Sequence, residues 1–225
     1  MPDYALIGAG ASTPDAAALL IQSTLIVVGL TREARILVDH QRVAIGSRGL
    51  AAALTPRPSA ILSFGICGAL DPGLRVGDLV IADGVAIGDT CLAADAVWTA
   101  ELRSALPAAR PGDIAGGDVI IDSLEAKSAL WRATGAVAVD MESHAVARAA
   151  SNIGIPFAVV RAVSDTADRA LPRAAQAGFR TDGEPDVGAV ISALARRPWE
   201  LPALIRVALE AEAAFRTLER AARAI

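Results

Sequence analysis

Two apolar runs in the second half of the chain each end in acidic side chains. Residues 137–139 lead into Asp140 and Glu142, and residues 159–163 lead into Asp165. A continuous β-branched run is typical of a strand buried on both faces, so these carboxylates are expected at strand ends. Glu142 and Asp165 lie 23 positions apart with a helix-like segment between them. This spacing fits a β-α-β unit whose strand ends face one pocket.

Further apolar segments alternate with helix-like segments along the chain. The pattern predicts an α/β fold with a mostly parallel sheet between helical layers. Residues 170–188 are rich in Arg, Gly, Pro and Asp and are predicted to form a loop. Additional strands are predicted over residues 25–29, 43–49, 60–70, 76–82 and 116–122, and helices over 50–54, 99–105, 124–131 and 201–224.

Length and composition limit the class of protein. The 225 residues suffice for one large domain or two small ones, and although 53% are apolar, no run of about 18 apolar residues predicts a membrane span. The first residues lack the basic region of a signal peptide, and Cys67 and Cys91 give neither a disulfide framework nor metal spacing. We therefore expect a cytoplasmic protein, and the net charge of −4 argues against a nucleic-acid partner.

Residues 1–23 precede this pattern and contain Gly8 and Gly10 after an apolar stretch. A dinucleotide-binding loop needs a third glycine and an acidic residue about 20 positions later, and neither is clear here. We predict an N-terminal extension over residues 1–23, followed by one domain over residues 24–225. An oxidoreductase built on Gly8 and Gly10 is the alternative.

The acidic motifs resemble those of the nucleoside phosphorylase and nucleosidase superfamily, whose members carry Met-Glu before a helix and Ser-Asp at the end of the next strand. These are Met141-Glu142 and Ser164-Asp165 in this chain, and residues 164–168 are similar to the Ser-Asp-x-Ala-Asp pattern of the methylthioadenosine/adenosylhomocysteine nucleosidase branch. Residues 65–78 match as well, so the resemblance covers about residues 24–168. It implies a three-layer phosphorylase/hydrolase-like α/β fold with a mixed, mostly parallel sheet.

A finer resemblance points to one branch of that superfamily. Residues 29–36, 171–173, 186–190, 196–198 and 215–218 are similar to segments of the hopanoid-associated phosphorylases, which act on adenosylhopane. This resemblance implies phosphorolysis of a lipid-linked nucleoside with release of adenine in hopanoid biosynthesis.

The resemblance implies which residues meet the base. Asp165 is expected to protonate the purine at N7, because desolvation at the end of an apolar strand favours the protonated acid. Ser164 would orient that carboxyl or contact the base, and Ile120 or Ile121 would lie against the base. The plainer alternative for Asp165 is a carboxylate that caps the turn after its strand.

The resemblance also implies which residues meet the sugar. Glu142 would accept hydrogen bonds from the ribose 2′- and 3′-hydroxyls, and Met141 would pack against the ring. Gly68 belongs to the loop near the ribose and the nucleophile. Plain core packing is the alternative for Met141.

The nucleophile is either phosphate or water. Superfamily phosphorylases bind phosphate with an arginine just after the first strand, where Gly29 and Arg32 stand, and Arg48 could supply a further charge-assisted contact. The hydrolases place a glutamate there to activate water, and Glu33 is one residue away. The branch resemblance favours phosphorolysis, with hydrolysis of methylthioadenosine, adenosylhomocysteine or futalosine as the alternative.

Several expectations concern partners. No metal or organic cofactor is implied, and inorganic phosphate is the expected co-substrate. A homodimer or larger homo-oligomer is expected, because relatives complete their pockets with a neighbouring subunit. A lipid-linked substrate would also allow a peripheral membrane contact through the terminal helix. A non-catalytic nucleoside- or lipid-binding protein with the same fold is the remaining alternative.

Overall fold

The structure is a computed structural model that describes residues 23–40, 42–178 and 186–225. The predicted extension and its Gly8 and Gly10 lie outside these residues, so both stay predictions. The strands of the described residues are β1 (Thr24–Val28), β2 (Val43–Ile45), β3 (Ala60–Ala69), β4 (Leu79–Ile87), β5 (Thr90–Ala93), β6 (Arg110–Gly116), β7 (Ala138–Asp140) and β8 (Phe157–Asp165).

The helices flank and connect these strands. They are α1 (Thr31–Ile36), α2 (Gly46–Ala53), α3 (Ala96–Ala105), α4 (Leu124–Thr134), α5 (Ser143–Ile153), α6 (Arg173–Gln176), α7 (Val187–Arg196) and α8 (Leu201–Ala222), with a 3-10 helix at Pro198–Glu200. Among the described residues, no helix combines the length and the apolar character that a membrane span requires.

The strands form one mixed sheet in the order β2-β1-β3-β7-β6-β4-β5. Strand β8 pairs with both β3 and β4, which closes β3, β7, β6, β4 and β8 into a ring. Five strand pairs are parallel and three are antiparallel, as the predicted mostly parallel sheet requires.

Two hydrophobic cores cover the two faces of the sheet. The alternation of side chains along β1 sends Leu25 and Val27 into one core and Ile26 and Val28 into the other. Helix α5 contributes to the first core, and helices α3 and α8 contribute to the second. The predicted mixed α/β fold with a central sheet between helices is confirmed.

The strand predicted over residues 116–122 is wrong. β6 ends at Gly116, and the following residues form a loop in which Val119 is 71% exposed, so this apolar run is not buried. The sheet instead uses residues 110–116 as β6. Pro111 fits there because it pairs with β4 alone, and pairing with β7 starts only at Ile114.

The predicted β-α-β unit differs in strand direction. β7 is antiparallel to β3 whereas β8 is parallel to it, so β7 and β8 run in opposite directions. Their ends nevertheless meet, because Val139 and Asp165 both pair with Gly68 of β3. The acidic motifs therefore converge on the carboxyl end of β3.

Candidate active site

The carboxyl ends of β1, β3 and β8 bring the predicted acids to one edge of the sheet. These strands are parallel neighbours, so their ends lie side by side. β1 leads through Gly29 into α1, which carries Glu33, and β8 ends at Asp165. Glu142 lies two residues after the end of β7, at the N-cap of α5.

Arg161 is completely buried on β8 and lies among carboxylates. Its Nη2 is 2.5 Å from Asp140 Oδ2 and donates to Ser63 Oγ at 2.7 Å, and its Nη1 is 3.5 Å from Glu142 Oε2. Burial works against the charged form, but Asp140, Glu142 and Glu33 outweigh burial and raise the pKa of Arg161. Arg161 is therefore a fixed cation, paired with the buried carboxylate of Asp140.

Glu33 is 1% exposed and bound by backbone amides on two sides. Its Oε2 accepts from the N–H groups of Gly29 at 2.8 Å and Leu30 at 2.9 Å, and its Oε1 accepts from the N–H of Ile66 at 2.8 Å. Burial raises the pKa of Glu33, while Arg161 and the three amides oppose the rise. The carboxylate joins the start of α1 to β3 and is a stronger base than an exposed glutamate.

Glu142 stands at the rim of this cluster, with 21% of its side chain exposed. Burial raises its pKa to about 7; Arg161 opposes the rise, and Asp140 and Glu33 add to it. Glu142 therefore changes charge near neutral pH while its carboxylate remains within reach of a ligand.

Asp165 is held by a residue from another helix. Lys127 of α4 forms an ion pair with Asp165 Oδ2 and donates to the carbonyl of Thr166 at 2.8 Å. Ser164 Oγ donates to Asp165 Oδ1 at 2.9 Å, which is one of the two roles predicted for Ser164. The predicted burial of Asp165 is found, since its side chain is 11% exposed, but a cation accompanies it.

Three glycines make room for these carboxylates. A Cβ at Gly29 would lie 2.6 Å from Glu142 Oε1, and a Cβ at Gly68 would lie 3.0 Å from Asp165 Oδ2. At Gly65 it would lie 2.5 Å from both Glu33 Oε1 and Arg161 Nη1. Glu142, Asp165 and Glu33 thus each pack against the backbone of a glycine.

The structure does not bring the predicted phosphate-binding arginines into this cluster. Arg32 turns toward α8, where Nη2 lies 2.5 Å from Glu212 Oε2 and the guanidinium stacks 4.1 Å from the ring centroid of Phe215. Arg48 is exposed in the first turn of α2, without an ion pair or side-chain hydrogen bond to any residue that the structure describes.

The apolar residues predicted to contact the base and the sugar are all half-buried. Ile120 and Ile121 are half-buried in the loop between β6 and α4, and Met141 is half-buried just before α5. Their proposed contacts with base and sugar stay predictions. His144 lies in α5 with Nε2 3.0 Å from Asp118 Oδ1.

Sequence reasoning missed three polar partners in the cluster. Lys127 was overlooked, although it is the single lysine in the sequence. Asp140 was expected as a strand-end carboxylate, but nothing in the pattern showed that it accepts from the backbone N–H of Ser143 at 3.1 Å and pairs with Arg161. Ser143 lies 3.2 Å from Ser63 across the same buried network.

A separate apolar cavity lies at the opposite end of the strands. Its volume is about 630 Å³, and its walls include Thr24, Ala60 and Pro156, which stand at the amino ends of β1, β3 and β8. We place the site at the carboxyl ends, because the buried carboxylates, the fixed cation and the glycines converge there. Among the described residues, no group of His, Cys, Asp and Glu side chains is arranged to hold a metal ion.

The family of the chain follows from a comparison with known proteins. The model of the Phosphorylase superfamily matches residues 40–196, which is more than half of the chain. The chain therefore belongs to the Phosphorylase superfamily, and the resemblance seen in the motifs is confirmed at this level.

Within this superfamily, the chain is similar to curated nucleosidases. The 5′-methylthioadenosine/S-adenosylhomocysteine nucleosidases of several Staphylococcus aureus strains are 32% identical over 134 residues, which cover 50% of this chain and 59% of the relative. The chain spans about three fifths of the length of these relatives.

Solved structures share the fold. The 5′-methylthioadenosine/S-adenosyl homocysteine nucleosidase of Helicobacter pylori superimposes with a TM-score of 0.63 at 18% identity, over 91% of this chain and 99% of that one. Futalosine hydrolase of the same species gives a TM-score of 0.58 at 20% identity, over 64% and 88%. At these identities the likeness shows the fold alone.

Proposed function

We propose that this protein cleaves the N-glycosidic bond of an adenine nucleoside. The observation that carries the proposal is that two acids lie at the same edge of the sheet. Asp165 lies beside Gly68 of β3, and Glu142 lies beside Arg161 of β8. The named activities of the relatives support it, since the curated ones are nucleosidases of adenine compounds.

The reaction needs an acid at the base and an acceptor at the sugar. Asp165 transfers its proton to N7 of the purine. The electron pair of the C1′–N9 bond then leaves with N9, and adenine departs as a neutral base. Glu142 accepts hydrogen bonds from the ribose hydroxyls, and Arg161 fixes the position of that carboxylate. A deoxyribose would leave the acceptor unpaired in a mostly buried place, so we expect ribosides to be preferred.

Water is our first candidate for the nucleophile. Glu33 lies in the cluster with a raised pKa, as a base for water requires, whereas Arg32 is engaged by Glu212. The curated relatives are named as nucleosidases, which supports hydrolysis over phosphorolysis.

Phosphorolysis of adenosylhopane is the second candidate. It is favoured by the exposed Arg48, which follows the end of β2 by three residues, since Ile45 of β2 pairs with Val28, the residue before Gly29. An arginine placed there could bind phosphate through two parallel hydrogen bonds. The lipid part of the substrate rests on the sequence resemblance.

Adenine release, followed by liquid chromatography with and without inorganic phosphate, tests these alternatives. We expect adenine from ribosides such as methylthioadenosine, with a loss of about 100-fold or more in D165N, which should remain folded. Release without phosphate that disappears in E33Q supports hydrolysis. Release that needs phosphate and weakens in R48A supports phosphorolysis, with adenosylhopane as the next substrate. No release by the wild type would point to a binding protein instead.

A further inference from the structure

Lys127 is the one lysine in a sequence whose Lys and Arg residues number 21. Arginine presents a wide planar fork, whereas lysine presents a compact point charge at the end of a flexible stem. The place that Lys127 occupies suits a compact charge, because its side chain is 1% exposed and ends between two acceptors, Asp165 Oδ2 and the Thr166 carbonyl.

Lys127 and Ser164 together fix the carboxyl of Asp165. Each donates to a different oxygen, and the backbone at Gly68 closes a third side. Ser164 Oγ also lies 3.1 Å from the carbonyl of Cys67 on β3, so its single proton has two acceptors within reach. The carboxyl therefore has one orientation, set by three elements.

Lys127 is the cation in direct contact with Asp165. The other charged or titratable groups around this pair are Cys67 on β3, Asp140 on β7 and Arg161 on β8, followed by Asp168 and Arg169 after β8. Arg161 is engaged by Asp140, and Asp168 accepts from Thr166 at 2.5 Å.

We propose that Lys127 is the positioning residue of the acid, which holds Asp165 in line with the base and stabilises the carboxylate that proton donation leaves behind. This inference rests on the proposed function. As the proton passes from Asp165 to N7 and the C1′–N9 bond breaks, Asp165 becomes an anion beside an ammonium group. The ammonium group of Lys127 thus favours the charge that develops on Asp165 as the proton leaves.

The pH profile of adenine release in K127M tests the proposal. On the low-pH plateau of the profile, we expect the kcat/KM of K127M to be about tenfold or more below that of the wild type. The pH at which kcat/KM falls to half of its plateau should rise by about one unit or more, because the cation that favours the anion is gone. A purely structural lysine would lower the rate without moving this pH.

Matched variants keep the test clear. K127Q should behave as K127M does, whereas R132M removes an exposed cation from the same helix and should leave both plateau and midpoint unchanged. Thermal unfolding and adenine binding establish that each variant is folded. If K127M and K127Q give the wild-type midpoint while remaining folded, the proposal is overturned.

The proposal and the proposed function fail in different ways. If the wild type neither cleaves adenine nucleosides nor binds adenine, the proposed function is wrong, and the proposed role of Lys127 is wrong with it. If the wild type cleaves adenine nucleosides but K127M has the same kcat/KM midpoint pH, only the proposed role of Lys127 is wrong. Labelling with [ζ-¹⁵N]lysine gives one side-chain signal, because the sequence has one lysine, and we expect D165N to shift that signal.

Discussion

Gly65 has the least room for a side chain among the three glycines of the candidate site. A methyl group there would lie 2.5 Å from Glu33 Oε1 and from Arg161 Nη1, neither of which has free space to move into. We expect G65A to lower the free energy of unfolding by about 2 kcal/mol or more in urea titrations. G117A is the matched control, because a Cβ at Gly117 meets nothing within 4 Å, and it should change stability by less than about 0.5 kcal/mol.

Glu142 links stability to pH. Its pKa rises from the usual 4.5 to about 7 in the folded protein, mainly through burial, so between these values the folded state keeps a proton that the unfolded state releases. Stability is therefore lost as pH rises through this window, and it levels off above about 7. Relative to E142Q, the wild type should lose at least about 1 kcal/mol of unfolding free energy between pH 4.5 and 7.5. Parallel pH curves for the two proteins would contradict this assignment.

The sequence showed the acids of the site but not their partners. Asp165, Glu142 and Glu33 stand in motifs that can be recognised from their neighbours in the chain. Lys127 lies 38 positions from Asp165, and Ser63 lies 98 positions from Arg161, so their contacts depend on how distant strands and helices pack. The presence of a single lysine was the one sequence feature that could have drawn attention to Lys127. Composition alone does not show which residues its side chain contacts.

Helix α4 positions Lys127, so weakening the N-cap of this helix should affect the candidate site. Ser123 caps α4 by accepting from the N–H of Ala126 at 3.1 Å, and Asp95 caps α3 by accepting from Trp98 at 2.8 Å. S123A and D95A should each cost about 1 kcal/mol of stability, measured by urea unfolding.

The two caps should differ in their effect on activity. Asp95 lies near the amino end of β8, where its N–H donates to the carbonyl of Phe157, whereas α4 contacts the opposite end of that strand. We therefore expect S123A to lower the kcat of adenine release several-fold and D95A to leave it unchanged. Equal kcat values in the two variants would show that the cap does not support Lys127.

Secondary structure was predictable where burial and periodicity agreed. The long strand at 60–70 and the helices at 124–131 and 201–224 were found close to their predicted bounds, as β3, α4 and α8. The strand at 116–122 failed because a β-branched run was taken as buried, although the sheet uses the segment before it. Closure of the sheet through β8 depends on pairing between β4 and β8, which local pattern does not reveal.

At the scale of the whole molecule, an apolar stripe on α8 bears on the predicted homo-oligomer. Leu201, Ile205 and Leu209 recur every four residues on α8 and are 45%, 52% and 67% exposed. Trp199 and Ile191 just before them are 72% and 63% exposed. Monomeric soluble proteins rarely leave such a concentration of large apolar side chains in water.

We predict that a second copy of the chain covers this stripe in solution. Light scattering after size exclusion should then give at least twice the mass of 23.0 kDa for the wild type. The I205E/L209E variant should run as a smaller species, because two buried carboxylates without partners are costly. V38E adds a charge at an isolated exposed valine and should keep the wild-type mass. A wild type that is monomeric, and that sediments with anionic vesicles, would assign the stripe to a membrane surface instead.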